Sequence, residues 1–403
     1  MDDSEMTQGK MTYRSNTKTA DQLSLLGFGC MRFPRKKAGG IDMTETEREI
    51  GAAIRGGINY FDTAYIYPGS EEALGNILEK NGWRDKIYLA TKLPHYMIRR
   101  EEDIERYFQV QLKRLKTSYI DYYLMHMLPD AAVWNRLKGM GIENWIREKK
   151  ERGQIRHIGF SYHGNAIAFM ELLDSYDWDF CQIQYNYMDE NTQAGRRGLK
   201  YASAKGMPVV IMEPLRGGRL AGGLPPSAEK LVREQGRLSP AGLAFAWLYQ
   251  QPEVTTVLSG MNSMEMLEEN IRTAGQKKKW LSEDESLLIS QVRDEINANI
   301  RVGCTGCSYC MPCPQGVDIP GSFRCYNERF TEGWFVSLKE YIMCTTMRGR
   351  RSNASLCVGC GLCEKHCPQQ IPIRQELKQA ARVLETPVYR TAAWAIAKSR
   401  RLS

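Results

Sequence analysis

From residue 25 to residue 273 the chain alternates eight times between a short β-branched, apolar run and a longer stretch of helical periodicity. Strands are expected at 25–31, 59–63, 87–92, 120–126, 155–161, 180–187, 208–213 and 255–259. Helices are expected at 45–55, 70–80, 101–115, 134–152, 165–174, 195–205, 240–250 and 263–273. Stop glycines follow several of them, at Gly56, Gly57, Gly82, Gly153, Gly206 and Gly275. Eight βα units in a span of about 250 residues match the size of a closed (β/α)8 barrel. A doubly wound sheet would join its first strand to a helix through Gly-x-Gly-x-x-Gly, and that run is missing here. The expected fold is therefore α/β, a TIM barrel over 21–281 preceded by an N-terminal tail at 1–20.

Beyond the barrel, eight of the twelve cysteines fall in two runs, each followed by proline. The first is Cys304, Cys307, Cys310 and Cys313; the second is Cys357, Cys360, Cys363 and Cys367. The second has the C-x2-C-x2-C-x3-C-P spacing with which bacterial ferredoxins hold [4Fe–4S] clusters. Zinc ribbons also use C-x2-C pairs, but they assemble four ligands from two pairs, whereas each run here already supplies four. The first run has two residues, not three, before its last cysteine. If fourth cysteines are exchanged as in two-cluster ferredoxins, Cys304, Cys307, Cys310 and Cys367 form one quartet. Cys357, Cys360, Cys363 and Cys313 then form the other. The unexchanged pairing, and substitution by Cys325 or Cys344, stay open. A linker helix at 282–302 and a small, mostly helical ferredoxin-type domain at 303–403, with two [4Fe–4S] clusters, are expected.

Charge is unevenly spread. The whole chain carries a formal +8, and from Arg301 onward 15 Lys/Arg face 7 Asp/Glu, so the entire surplus lies in the cysteine-rich part. No reader motif accompanies it, which argues against nucleic acid. The surplus suits offsetting the negative charge of clusters and their thiolates, along with docking an acidic electron carrier such as a ferredoxin or flavodoxin. No apolar run approaches the ~20 residues of a membrane span, and the N-terminus lacks the apolar core of a signal peptide. A cytoplasmic location, where thiolates stay reduced, is expected.

In a barrel, chemistry sits at the C-terminal ends of the strands. Those ends offer Asp62 and Tyr67, then Lys92, then His126. Lys92 beside Tyr67 is expected to favour the phenolate and lower the tyrosine pKa, with Asp62 holding Lys92 charged. Tyr67 is then placed to give a proton to a carbonyl oxygen that His126 orients and polarises. Taken singly, Asp62 reads more readily as a helix cap, Lys92 as a rim charge, Tyr67 as loop packing beside Tyr65 and His126 as a core histidine; the ordered set carries the argument.

The stretch from Gly57 to Tyr67, followed by Ser70-Glu71-Glu72-Ala73-Leu74-Gly75, resembles the signature of the aldo-keto reductases. The likeness continues through Thr91-Lys92, Leu124-Met125-His126, Gly159-Phe160-Ser161, the run from Gln182 to Asn186, and Glu268-Glu269-Asn270. With the cysteine runs appended, the whole is similar to the ferredoxin-fused branch of that family. The resemblance implies NAD(P)H-linked interconversion of a small-molecule carbonyl and its alcohol through an Asp-Tyr-Lys-His tetrad. It also implies that Ser161 and Gln182 hold the nicotinamide carboxamide, that Gly217 and Gly218 approach the pyrophosphate, and that Glu269 and Asn270 contact the adenine. Met212 stands where an aromatic commonly stacks on the nicotinamide. The loop from Ser259 to Met266 lacks the Lys and Arg that many members place on the 2′-phosphate; Arg216 or Arg219 would have to supply that charge. NAD(H) is therefore expected to bind at least as well as NADP(H). Tyr65, Tyr96, Tyr162, Tyr187 and Met188 are the expected pocket lining.

Three ways of joining the two parts follow. The clusters relay electrons between the barrel and a carrier, or they clamp or sense redox state on an independent reductase, or the barrel is a non-catalytic nucleotide-sensing scaffold. The intact tetrad argues against the last.

Overall fold

The computed structural model describes residues 11–399, except 164–165, 192, 277–279, 299, 305, 307–308, 332, 347–350 and 368. A two-stranded antiparallel hairpin comes first, β1 (Tyr13–Ser15) and β2 (Gln22–Ser24). Eight parallel strands follow and close into a barrel: β3 (Leu26–Gly29), β4 (Tyr60–Asp62), β5 (Tyr88–Leu93), β6 (Ile120–Met125), β7 (Ile155–Tyr162), β8 (Phe180–Gln184), β9 (Val209–Met212) and β10 (Val254–Ser259), with β10 pairing back to β3. The barrel expected from the alternation is present. Its strands are buried along nearly their whole length, as parallel strands under a ring of helices must be, which is why they read as continuous apolar runs.

The helices start where capping chemistry allows. Asp42 accepts from the amides of Thr44 and Glu45, Asp130 from Val133, Ser239 from Gly242, and Ser263 from Met266. The single helix expected at 134–152 is two, Ala131–Gly139 and Ile142–Glu151, because Gly141 turns the backbone left-handed at φ +80°. Close approach also matters: Gly75, on helix Ser70–Asn81, would place a Cβ 2.3 Å from the Arg114 carbonyl oxygen, so the contact with helix Glu102–Leu115 requires glycine there.

The barrel interior is filled by Tyr60, Ala90, Tyr122, Leu124, Phe180, Val210 and Leu258, with Leu23 of the hairpin joining them. The Tyr122 ring meets Tyr60 and Phe180 edge-on at 5.2 and 4.9 Å, contacts worth about 0.5–1.5 kcal/mol each beyond area burial. Part of the expected tail is thus structured. Asn16 donates to the Tyr122 hydroxyl at 3.2 Å, that hydroxyl donates to Asp21 at 2.6 Å, and Arg14 reaches the carbonyls of Tyr249, Gln251 and Val254. Three-residue strands are too short for periodicity to reveal them.

The chain divides into two compact units, Met1–Ala221 with Arg237–Ser286, and Gly222–Gly236 with Leu287–Ser403. The second is helical: Pro226–Gln235, Ile319–Thr331, Trp334–Thr345, Leu362–Lys365, Ile373–Leu384 and Pro387–Ser399. Its core gathers Val317, Ile319, Phe323, Tyr341, Leu377 and Leu384, among others. Among the described residues, no helix is long and apolar enough to cross a membrane.

Candidate active site and iron–sulfur module

The tetrad residues converge at the C-terminal mouth of the barrel. Asp62 ends β4, Lys92 lies near the end of β5, His126 follows β6, and Tyr67 stands on the loop after β4. Lys92 Nζ is hydrogen-bonded to Asp62 and donates to the Thr63 carbonyl at 2.7 Å. The ammonium lies 5.1 Å from the centre of the Tyr67 ring, and that ring meets His126 edge-on at 6.0 Å. Behind them a buried network fixes the frame. Gln111 Nε2 donates to Glu71 at 2.7 Å, Thr91 at 2.9 Å and the Lys92 carbonyl at 3.1 Å. Arg114 joins Glu71 to the Tyr65 carbonyl, both at 3.2 Å, and so ties the tyrosine loop to the strand that carries the lysine.

Burial disfavours the charge on Lys92, but Asp62 and Tyr67 outweigh it and hold the ammonium above its ordinary pKa. Burial pushes the Tyr67 phenol up, and the pull of Lys92 downward only partly offsets it. The lowered tyrosine pKa expected from sequence is thus not what the site produces, because desolvation of the phenolate is the larger effect. Burial, then the positive charge of Lys92, pushes His126 down to about 3, so its imidazole is neutral at physiological pH. Its Nδ1 is buried without a hydrogen-bond partner among the described residues, as is Asp62 Oδ2.

The residues assigned to a nicotinamide nucleotide lie on the next strands. Ser161 and Gln182 are register partners on β7 and β8. Ser161 Oγ accepts from the Met127 amide at 2.8 Å, while the Gln182 amide donates to Met212 Sδ at 3.6 Å and its buried Oε1 has no partner among the described residues. A side-chain amide held this way can exchange paired hydrogen bonds with a carboxamide, so the residues fit the group. Gly217 and Gly218 both have positive φ, +75° and +101°. Arg32, which sequence reasoning missed, crosses this turn, donating to the Gly217 carbonyl at 2.9 Å and lying against Gly260. Arg216 is paired with Asp189 at 3.0 Å, so its charge is already engaged. Asn270 donates to Ser259 at 3.1 Å; Glu269 is half-buried beside it on helix Met264–Ala274. Tyr96 lies 6.3 Å from the His126 ring. Two expected lining residues are elsewhere: Tyr162 is fully buried against Phe160 and Phe169, and Tyr187 is buried beside Trp247. Their alternation with strand-end residues could not show which face they take.

In the second unit Cys304, Cys310, Cys313, Cys357, Cys363 and Cys367 pack against one apolar core, while Cys360 is exposed. Cys313 lines the same cavity of about 310 Å3 as Cys310, Cys357, Cys360 and Cys363. Among the described residues no three side chains gather closely enough to share a single metal ion, which is a tighter arrangement than four sulfurs around a cluster. Cys307 lies outside the described residues, as does the side chain of Cys344. Cys325 is buried in the core, as expected of a packing residue. The approach to the second run is anchored by Glu385, which accepts from Tyr341 at 3.0 Å, the Ser355 amide at 2.9 Å and Asn353 at 3.1 Å.

Residues 25–286 match the model of the aldo/keto reductase family. The chain belongs to the aldo/keto reductase family. Residues 303–373 match a 4Fe-4S dicluster domain, so this reductase carries an iron–sulfur module after its barrel. Protein tas of Escherichia coli is 23% identical over 65% of this chain and 93% of its own length. The aldo-keto reductase str7 of Strobilurus tenacellus is 24% identical over 68% of this chain and 90% of its own. Among solved structures, the holo form of aldo-keto reductase AKR11C1 from Bacillus halodurans superposes with a TM-score of 0.58 at 26% identity, over 70% of this chain and 96% of its own. The protein is an aldo-keto reductase-type oxidoreductase with a 4Fe-4S domain.

Proposed function

We propose that the barrel interconverts a small-molecule carbonyl and its alcohol with NAD(P)H, Tyr67 being the proton donor. The observation that carries this is the cluster of half-buried Tyr67 with buried Lys92, Asp62 and His126 at the mouth of the barrel. Ser161 and Gln182 would hold the nicotinamide carboxamide, Met212 would lie under the ring, and Gly217, Gly218 and Arg32 would meet the pyrophosphate. Glu269 and Asn270 would contact the adenine. When bound, the nicotinamide supplies or accepts the hydride.

Tyr67 gives its hydroxyl proton to the substrate oxygen as charge develops there. Its raised pKa keeps that proton in place at neutral pH, and the adjacent Lys92 ammonium stabilises the phenolate left behind. Asp62 and the Thr63 carbonyl fix Lys92 in that position. His126, neutral, donates a hydrogen bond that orients the carbonyl without competing as an acid.

The cysteine quartets would each hold a [4Fe–4S] cluster. Cys313 shares a cavity with Cys357, Cys360 and Cys363, as the exchanged pairing requires, and Cys310 lines it too. Bound clusters supply one-electron transfer, and the basic surplus of this part of the chain suits an acidic carrier. Anaerobic purification with iron and sulfide measured, followed by NADH and NADPH oxidation against aldehydes, ketones and sugars, tests the reading. Turnover that survives unchanged in Tyr67→Phe would overturn the assignment of the proton donor.

A further inference from the structure

Next to the tetrad lies a second concavity that proton transfer does not require. The loop leaving β5 and the first turns of helix Glu102–Leu115 line a cavity of about 520 Å3 with Tyr96, Arg99, Arg100, Asp103, Arg106 and Tyr107. Three arginines and one carboxylate line it, and that carboxylate is occupied. Asp103 accepts from the Arg99 amide at 3.0 Å, the Arg100 amide at 3.3 Å and Arg106 Nη2 at 2.7 Å. Arg100 meets an exposed Glu102 at 3.5 Å, and the Arg99 guanidinium has no carboxylate partner among the described residues. The cavity wall is therefore cationic, with donors to spare.

The loop is also held in shape. Residues His95–Met97 form a 3-10 turn, and Arg136 donates to the carbonyls of Ile98 at 3.4 Å and His95 at 3.5 Å. Asp103, by bonding the two loop amides, presents Arg99 and Arg100 from a fixed backbone. Tyr96 is the shared wall: it lines the cavity and its ring lies 6.3 Å from that of His126. A molecule with its carbonyl between Tyr67 and His126 can extend past Tyr96 into the arginines.

The geometry points to a substrate whose carbonyl is tethered to an anionic group, a carboxylate or phosphate, seated by Arg99 and Arg106 beside Tyr96. The inference rests on the tetrad reading above and names its substrate class. Planar guanidinium forks match both oxyanions, so the group itself is left to the test.

The test compares matched aldehydes with the anaerobically purified holoprotein: benzaldehyde against 4-carboxybenzaldehyde, and glyceraldehyde against its 3-phosphate. The charged member of at least one pair is expected to show kcat/KM higher by about tenfold or more, carried mainly by KM. The pair that shows it identifies the oxyanion. Arg99→Ala and Arg106→Ala should collapse the ratio towards one, Arg99→Lys should keep part of it, and Arg99→Glu should invert it. Charged-to-neutral ratios near one in the wild type, or a ratio unmoved by Arg99→Ala and Arg99→Glu, would overturn the proposal. Calorimetric binding of 4-carboxybenzoate and of inorganic phosphate to Tyr67→Phe separates the two readings. Anion binding that Arg99→Ala abolishes, without aldehyde turnover in the wild type, sinks the reductase reading and leaves the cavity. Turnover of neutral aldehydes without anion binding does the reverse.

Discussion

Ser161 and Gln182 stand opposite one another in the ladder between β7 and β8, the serine already bonded to a backbone amide and the glutamine oxygen unmatched among the described residues. A ligand carboxamide would supply the missing donor. Gln182→Ala is expected to weaken NADH binding by about tenfold, the worth of one or two buried hydrogen bonds, read as Kd by fluorescence quenching. An unchanged Kd would remove Gln182 from the nucleotide site.

Lys92 and Asp62 are both almost fully buried, so removing one partner strands the other's charge. Lys92→Met should therefore cost about 3–5 kcal/mol of stability as well as turnover, seen as a lower Tm and denaturant midpoint. The double variant Asp62→Asn with Lys92→Met should recover part of the stability and none of the activity. A single Lys92→Met as stable as the wild type would mean that water reaches the pair.

His126 ties acidity to stability. In the folded chain it binds a proton only near pH 3, whereas unfolded it does so near the ordinary histidine value of 6.5. Between those limits the unfolded state holds more protons, so its contribution to stability is full above the unfolded pKa and is lost as pH falls towards 3. Tm should drop on acidification through that window, and less steeply in His126→Asn. Reduction kinetics should show no histidine limb between pH 5 and 8. Because burial raises the Tyr67 pKa, reduction should persist into the alkaline range before its donor ionises.

Nucleotide preference follows from charge already spent. Arg216 is engaged by Asp189, so its charge is paired rather than free for a 2′-phosphate. NADH should bind at least as tightly as NADPH; a Kd for NADPH lower by tenfold or more would refute this.

Cys360→Ser is expected to remove one cluster's share of iron and sulfide and its low-temperature paramagnetic signal after reduction. If the clusters relay electrons, reduction by a viologen dye should vanish while NAD(P)H-linked carbonyl reduction survives. Full retention of iron and sulfide would exclude Cys360 as a ligand.

The barrel was legible because its strands are buried on both faces and alternate with helices long enough to show their period. The clustering of Asp62, Tyr67, Lys92 and His126 was legible because each lies at or just beyond the C-terminal end of a strand. What sequence hid depends on three-dimensional neighbours. The balance between burial and Lys92 at Tyr67, the engagement of Arg216 by Asp189, and the position of Arg32 across Gly217 join residues far apart in the chain. Gly141 broke a helix whose periodicity runs on either side of it, and the pairs Tyr13–Ser15 and Gln22–Ser24 were too short to register. The fastening of loop 94–100 by Asp103 and Arg136 is likewise a matter of contacts that no spacing announces.

The hairpin at the base of the barrel separates durability from chemistry. Leu23 and Arg14 seal the end opposite the reaction, so trimming the chain there would loosen the cylinder's floor without touching a reacting atom. The rim is left free to change its loops, and so its choice of substrate, while the foundation stays the same.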